Sequence, residues 1–361
     1  GVERILIVCP TSLKHQWKQE IERFSQRPVQ IIQGPLHVRE EQYAKAEFYN
    51  ITNYDVICRD YQAIANWHPD LIILDEAQRI KNWKTRTAQS TKKLKSDYAF
   101  VLTGTPLENR LEELHSIVEF IDRHHLGALF RFLSTHQDTD ETGKILGYKN
   151  LTHVSQTLKP VLIRRTKKEV LSELPERIEK NLFVAMTERQ TEMHKENYET
   201  VCRLVNKWRR YKFLSERERQ ILLLCLTKMR MVCDSSYLLD KETDESTKFE
   251  ELVNVLENAF ESNQGKVVIF SQWTRTHELI IRRLQKKKWG HLFFHGGVSP
   301  VKRKDIIQSF KTDDCCRILL STDAGGVGLN LQNASTVINM DLPWNPAVLE
   351  QRIGRVHRLG Q

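Results

Sequence analysis

No apolar run in this sequence approaches the roughly 20 residues that a membrane-spanning helix requires, which argues against such a span. The opening residues do not read as a secretory signal. None of the seven cysteines forms a C-x-x-C pair, and Cys315-Cys316 are adjacent, so the spacing of a zinc site is missing. Reduced, partly buried thiols of an intracellular protein are therefore expected. His124-His125 has no companion ligands around it and reads as surface residues at a helix end or loop. No short-period repeat is present. With 40% hydrophobic and 28% charged residues, the composition is that of a globular rather than a disordered chain.

What is present is length and base. The 361 residues suffice for two domains with sizeable cores, and a net charge of +9 favours an anionic partner, nucleic acid first. Short apolar runs, Arg4–Cys9, Val29–Ile32, Tyr54–Cys58, Leu71–Leu74 and Tyr98–Leu102, read as strands. Helical spacing of Leu13, Trp17, Ile21 and Phe24, with Ser12 as cap, and of Leu111, Leu114, Val118 and Ile121 separates or follows them. Continuous apolar strands alternating with helices predict a parallel sheet covered on both faces.

From Asp122 to Thr247 the strand signal fades and long, charged helical patterns take over, with a loop near Gly143 and Gly147 and a polar linker at Lys241–Thr247. Within this stretch, Lys207-Trp208-Arg209-Arg210-Tyr211-Lys212 interleaves base and aromatic. It has two readings: a surface that tracks nucleic acid, or a solvated helix face with its aromatics in the core. The α/β rhythm then resumes, with a helix carrying Phe249, Leu252, Val253, Leu256 and Phe260 and strands at Val267–Phe270, Leu292–His295, Arg317–Ser321 and Thr336–Met340.

Four segments carry chemistry. Leu71-Ile72-Ile73-Leu74 runs into Asp75-Glu76, a carboxylate pair suited to Mg²⁺ and to activating water. Leu102-Thr103-Gly104-Thr105-Pro106 sets hydroxyls and a glycine at another strand end. Ser321-Thr322-Asp323-Ala324-Gly325-Gly326 leaves a third strand with glycines that permit close approach to a phosphate. Arg355 and Arg358, three positions apart, would point one way from a helical turn, as paired guanidiniums facing a polyphosphate.

In this order the segments resemble the helicase motifs of superfamily two, specifically the Swi/Snf-type double-stranded DNA translocases. Cys9-Pro10-Thr11-Ser12-Leu13 with Trp17 resembles motif Ia, Asp75–Gln78 with Lys81-Asn82 motif II, and Leu102–Leu114 motif III. Leu162-Ile163-Arg164-Arg165-Thr166-Lys167 through Leu174-Pro175 resembles the family's bridge between lobes. Phe270-Ser271-Gln272-Trp273 resembles motif IV, Ser321–Leu331 motif V, and Asp341–Pro346 with Gln351–Gln361 motif VI. The sequence departs from the family pattern at Gln78, where many relatives have histidine, and at Cys58-Arg59-Asp60-Tyr61, where hydroxyl residues usually precede the tyrosine. It also contains no G-x-x-x-x-G-K-[ST] phosphate loop, and on the family pattern it reads as a fragment starting after that loop.

The resemblance implies an α/β fold of two RecA-like parallel-sheet lobes, 1–121 and 248–361, with helical insertions and the inter-lobe bridge over 122–247. It implies ATP and Mg²⁺ as cofactors, with Asp75 and Glu76 serving the metal and the lytic water, and Arg355 and Arg358 approaching the γ-phosphate from the second lobe. Gln78, Thr103, Gly104, Thr105, Gly326 and Gln351 would contact or sense the nucleotide. Double-stranded DNA would be met by Thr11, Ser12, Lys81, Ser271, Gln272, Ser321 and Thr322. DNA-bound proteins are the implied remodelling targets, a monomeric motor is favoured, and the location is cytoplasm or nucleoid in a prokaryote, nucleus in a eukaryote. Two other readings stay open: a non-catalytic DNA-binding or interaction module, since the phosphate loop is missing, and an RNA-directed helicase of the same superfamily.

Overall fold

The computed structural model describes residues 1–45, 47–104, 110–140, 145–165, 177–262, 265–323 and 330–357. The chain divides into two compact units, Gly1–Val170 and Leu171–Gln361, each built on a parallel sheet.

In the first unit the strands are β1 (Ile5–Cys9), β2 (Val29–Ile31), β3 (Tyr49–Asn53), β4 (Leu71–Asp75) and β5 (Tyr98–Leu102), in the order β2-β3-β1-β4-β5. Alternate residues of the central strands feed two cores. Leu6, Val8, Ile72 and Leu74 pack on one face with Ile57, Ile64 and Ile117, while Ile5, Ile7, Cys9 and Ile51 pack on the other with Leu13 and Ile21. Burial on both faces is what a parallel sheet requires, and it explains the unbroken apolar runs.

Three expectations fail here. Tyr54–Cys58 is a turn leading into the helix Ile57–Trp67; the strand is Tyr49–Asn53, whose Asn50 and Asn53 hide its signal. Tertiary pairing with β1 and β2 overrides their weak strand preference. Phe24, grouped by spacing with Leu13, Trp17 and Ile21, is 78% exposed at the end of the helix Lys14–Phe24, and Ser12 lies in a short 3₁₀ turn before that helix, with Leu13 at its N-cap. Gly143 lies outside the described residues, and Gly147, expected in a loop, lies inside β7 (Ile145–Tyr148), which pairs antiparallel with β6 (Gln137–Thr139). Around it the helices Leu111–Ile121, Leu129–His136 and Leu151–Leu158 share a small core of Leu111, Leu114, Val118, Phe132, Val154 and Leu158.

The second unit opens with a helical hairpin, Glu188–Tyr211 and Glu216–Val232. The strands β8 (Lys266–Phe270), β9 (Gly290–Phe294), β10 (Cys316–Ser321) and β11 (Ala334–Asn339) follow, in the order β11-β8-β10-β9. Val267, Ile269, Ile318 and Leu320 face the helices Thr247–Glu261 and Thr274–Lys286 through Phe249, Leu252, Leu256, Leu279, Ile280 and Leu284. Val268, Phe270, Phe294 and Leu319 pack with Phe310 on the other face. Lys241–Thr247 carries no free polar tether: Thr243 and Asp244 bond to Ser236 and Ser235, and Arg283 pairs with Asp244 at 3.0 Å.

Candidate functional site

In the first unit the acidic pair stands where β4 leaves the sheet. Asp75 is in register with Leu102, so Thr103 follows on the neighbouring strand end. Glu76 turns the chain with φ 52°, a left-handed conformation that costs a residue with a Cβ on the order of 1–3 kcal/mol. Hydrogen bonds hold the turn. Gln78 Nε2 donates to Glu76 Oε2 at 2.7 Å, and Thr103 Oγ1 donates to Gln78 Oε1 at 3.1 Å. Asp75 Oδ2 accepts from Trp17 Nε1 at 2.8 Å, its Oδ1 from the Glu76 N–H at 2.9 Å, and its carbonyl from the Tyr54 hydroxyl at 2.8 Å.

Four of the expected residues, Asp75, Glu76, Gln78 and Thr103, are thus joined in one network. Gly104 follows at the surface; Thr105 lies outside the described residues. The supports Trp17 and Tyr54 are less legible. Trp17 reads from spacing as a helix-face residue, and its indole donor to Asp75 becomes visible only when β1, its helix and β4 are assembled. Burial pushes the Tyr54 and Cys9 groups well above their ordinary pKa values, with the Asp75 charge acting the same way, so both stay neutral. Two adjacent hard carboxylates form a donor set that fits Mg²⁺. The sequence contains no G-x-x-x-x-G-K-[ST] loop to cradle a triphosphate.

Thr11 and Ser12 sit in the turn after β1, beside β4, with Thr11 exposed. Lys81, expected to meet DNA, lies 3.6 Å from the Glu113 carboxylate.

The second unit has an open cavity of about 590 Å³ lined by Gln272, His295, Gly296, Gly297, Thr322 and Asp323 and walled by Trp344 and Asn345. It lies at the carboxyl ends of β8, β9 and β10, the edge at which open parallel sheets generally take ligands. Register brings these residues together: Ser321 pairs with both Phe270 and Phe294, so the residues that follow these three strands become neighbours. The His295–Gly297 loop is braced by Arg303, whose guanidinium donates to the carbonyls of Val298 and Gly296, each at 2.8 Å. Trp344, 70% exposed, is held by Arg230, whose guanidinium carbon lies 5.1 Å from its ring centre and 5.2 Å from that of Trp273. The same arginine donates to the Leu342 carbonyl at 2.6 Å.

Of the four DNA contacts expected in this unit, Gln272 and Thr322 line the cavity. Ser271 and Ser321 are fully buried, and their hydroxyls bond to Asp341 Oδ2 and to the Thr322 carbonyl. In the described structure these two serines support the cavity rather than face it. Their backbones are clamped by buried His277, whose Nε2 lies 3.3 Å from the Ser271 carbonyl and 3.1 Å from that of Ser321. Burial pushes the His277 pKa down to about 4, so the ring is neutral at pH 7 and the network assigns its proton to Nε2.

Beneath the cavity lies a residue that pattern reading passed over. Arg352 is buried; it donates to Asp323 Oδ1 at 2.5 Å and Oδ2 at 2.8 Å, to Asp341 Oδ1 at 3.0 Å, and to the Asp341 carbonyl at 2.8 Å. Burial opposes its charge, yet Asp323 and Asp341 hold its pKa above the ordinary arginine value. Asp341 in turn accepts from the Ser271 hydroxyl at 2.6 Å and the Gln272 N–H at 2.8 Å. One guanidinium therefore ties three strand-end segments to the helix Pro346–Ile353.

That helix bears on the expected arginine pair. It ends at Ile353, and Arg355 lies in the turn beyond; the expected shared turn involves Arg358, which lies outside the described residues. The Arg355 carbonyl accepts from the Leu331 N–H at 3.0 Å, and the residue is buried. Gln351, half-buried, is on the helix; Gly326 also lies outside the described residues. Among the described residues no cluster of three metal-ligating side chains occurs, and no helix is long and apolar enough to cross a membrane.

Two family models match the chain, the SNF2-related domain over residues 1–238 and the helicase conserved C-terminal domain over residues 247–360. It is 31% identical over 99% of its length to the "Putative ATP-dependent helicase/translocase YwqA" of Bacillus subtilis, covering 39% of that protein. It is 28% identical, again over 99% of its length, to the human "SWI/SNF-related matrix-associated actin-dependent regulator of chromatin subfamily A member 1", covering 35% of it. The chain thus spans little more than a third of the length of these relatives. A solved structure, the Sulfolobus solfataricus SWI2/SNF2 ATPase core in complex with dsDNA, is 29% identical and aligns over 100% of this chain and 75% of that one, with a TM-score of 0.45.

Proposed function

The chain belongs to the SNF2-related family of ATP-dependent helicases, and from that premise we propose that it is the motor region of a double-stranded DNA translocase that remodels DNA–protein complexes. The observation that carries the reading is the second-sheet cavity, where two residues expected to meet DNA, Gln272 and Thr322, stand beside an exposed, braced tryptophan. Contacts of this kind go mostly to phosphates and read little sequence.

ATP and Mg²⁺ are the proposed cofactors. Bound magnesium would neutralise charge on the phosphate oxygens. Asp75, its carboxylate oriented by Trp17, would hold the metal, and Glu76, fixed by Gln78, would orient and deprotonate the attacking water. Gln78 also links that acid to Thr103, a path by which the strand end after β5 senses the nucleotide. Arg355 and Arg358 counter the charge that develops on the transferred phosphoryl group. Alone, this chain should hydrolyse ATP weakly or not at all, because its sequence offers no phosphate loop. The proposed domain boundaries lie near residues 121 and 247, and the proposed location is intracellular.

Binding of the chain to labelled duplex DNA, with duplex RNA as competitor, tests the reading. DNA should bind in preference and weaken steeply with salt. Equal competition by duplex RNA would favour the RNA-directed alternative, and an affinity indifferent to salt would remove the phosphate contacts on which the proposal rests.

A further inference from the structure

The helical hairpin of the second unit supplies Arg230 near its base to brace Trp344; its far tip has no part in the proposed motor site, yet that tip is built. The helix Glu188–Tyr211 ends at Lys212, which takes the left-handed conformation with φ 53° and donates its N–H to the Trp208 carbonyl at 2.7 Å. Leu214 is buried, and Ser215 starts the next helix through a reciprocal capping box with Glu218. Lys207 bonds Glu218 at 2.5 Å across the turn. The connection is short and tied at both ends, so the side chains on it are presented in fixed places.

Between Lys207 and Arg219 there are six basic residues against two acidic ones. Favourable charge at a helix C-terminus accounts for Arg209 and Arg210. It does not account for Arg217 and Arg219, which sit in the first turn and a half of the following helix, where cations are disfavoured. Nor does a solvated helix with core aromatics describe the tip, because Trp208, Tyr211 and Phe213 are 42%, 61% and 62% exposed. Two of these rings carry cations instead: Arg210 lies 5.3 Å from the Tyr211 ring centre, and Lys212 lies 5.0 Å from that of Trp208. Among the described residues no carboxylate ion pair is formed by Arg209, Arg210 or Lys212, whereas Lys207 is paired with Glu218.

We propose that this hairpin tip is a second nucleic-acid contact, in which Arg209, Arg210 and Lys212 bind the phosphodiester backbone of DNA while Tyr211 and Trp208 hold two of the cations in place. Phosphate oxygens accept from the exposed guanidinium and ammonium donors, and the rings limit the side-chain freedom lost on binding. The surface adds to the strand-end cavity and does not depend on it.

The test is fluorescence anisotropy of the full chain with a labelled duplex of about 30 base pairs between about 50 and 200 mM salt. The variant Arg209→Ala/Arg210→Ala/Lys212→Ala should bind at least about tenfold more weakly at the low end, and the slope of log affinity against log salt should shrink by about 2–3, near 0.9 per lost phosphate contact. Arg209→Lys/Arg210→Lys should keep the wild-type slope, which a purely structural role would not require. Circular dichroism checks that the helices persist. An unchanged slope and affinity in the triple variant overturns the proposal. So does loss of poly-L-glutamate binding with DNA binding unchanged, which would assign the tip to an acidic polypeptide. Should the wild-type chain bind no duplex at all, both readings fall; if it binds and only the hairpin variant is silent, this one alone does.

Discussion

Replacing Arg352 by methionine should loosen the second sheet more than any other single change near the cavity. The substitution keeps most of the side-chain volume but removes a guanidinium that satisfies Asp341, 4% exposed at its side chain, and Asp323, 31% exposed. Removing one partner of a buried pair costs about 3–5 kcal/mol, because the remaining charge stays uncompensated. The partial exposure of Asp323 lets water screen its share, so the low end, about 3 kcal/mol, is the working figure. Asp341 keeps two donors, Ser271 and the Gln272 N–H, which also favours the low end. At roughly 1.4 kcal/mol per tenfold, this corresponds to about a hundredfold rise in opening of the sheet. Hydrogen exchange of β8 and β10 amides reads that opening locally, with β1 and β4 amides of the first unit as internal control. The triple variant with Asp323→Asn and Asp341→Asn should recover much of the loss, since the buried charges then leave together. Acceleration of less than about tenfold in Arg352→Met would mean that solvent already screens the network and would refute the reasoning.

His277 should impose a pH dependence on the same unit. Its folded pKa, near 4, lies below the ordinary histidine value of 6.5, so the unfolded chain binds a proton that the folded one refuses. The contribution is complete above about pH 6.5 and is lost as pH falls toward 4, on the order of 3 kcal/mol in all. Asp234, pushed up to about 6 by burial despite Lys248, acts with opposite sign over nearly the same range. The comparison must therefore be with His277→Gln, whose urea midpoint should drop less than wild type between pH 7 and pH 5; parallel profiles would contradict the assignment. In any longer polypeptide joining this chain to a phosphate-binding loop, Arg355→Ala should lower DNA-stimulated phosphate release by about 10³-fold or more while leaving DNA binding largely intact. Unchanged turnover there would remove Arg355 from the catalytic set.

Much of the fold is legible because both sheets are parallel and buried on two faces, which leaves unbroken runs such as Leu71–Leu74 and Val267–Phe270. The reading fails where local preference and tertiary role diverge. Asn50 and Asn53 lie in a strand because two neighbouring strands pair with it, while the β-branched Val56-Ile57 enters a helix. For the candidate sites, strand-end motifs put Asp75 and Glu76 at the end of β4 and Gln272 and Thr322 after β8 and β10, each pair at the carboxyl edge of its own parallel sheet. What they miss is the support beneath. Trp17 on Asp75, His277 on the serine carbonyls and Arg352 on two aspartates act through partners distant in sequence, and no spacing rule reports them. The aromatics of Lys207–Lys212 show the reverse case, a pattern compatible with a core that the structure leaves at the surface.

The most direct measurement of the central claim is the duplex-DNA affinity of the chain beside that of Gln272→Ala/Trp344→Ala. Trp344 is largely exposed and Gln272 reaches Asp341 only through its backbone N–H, so the pair can be removed without breaking the network below. If the strand-end cavity is the DNA track, affinity falls about tenfold or more, at about 1–3 kcal/mol for an aromatic contact, while the β8 and β10 amides exchange as in wild type. Wild-type affinity in that variant would contradict the account.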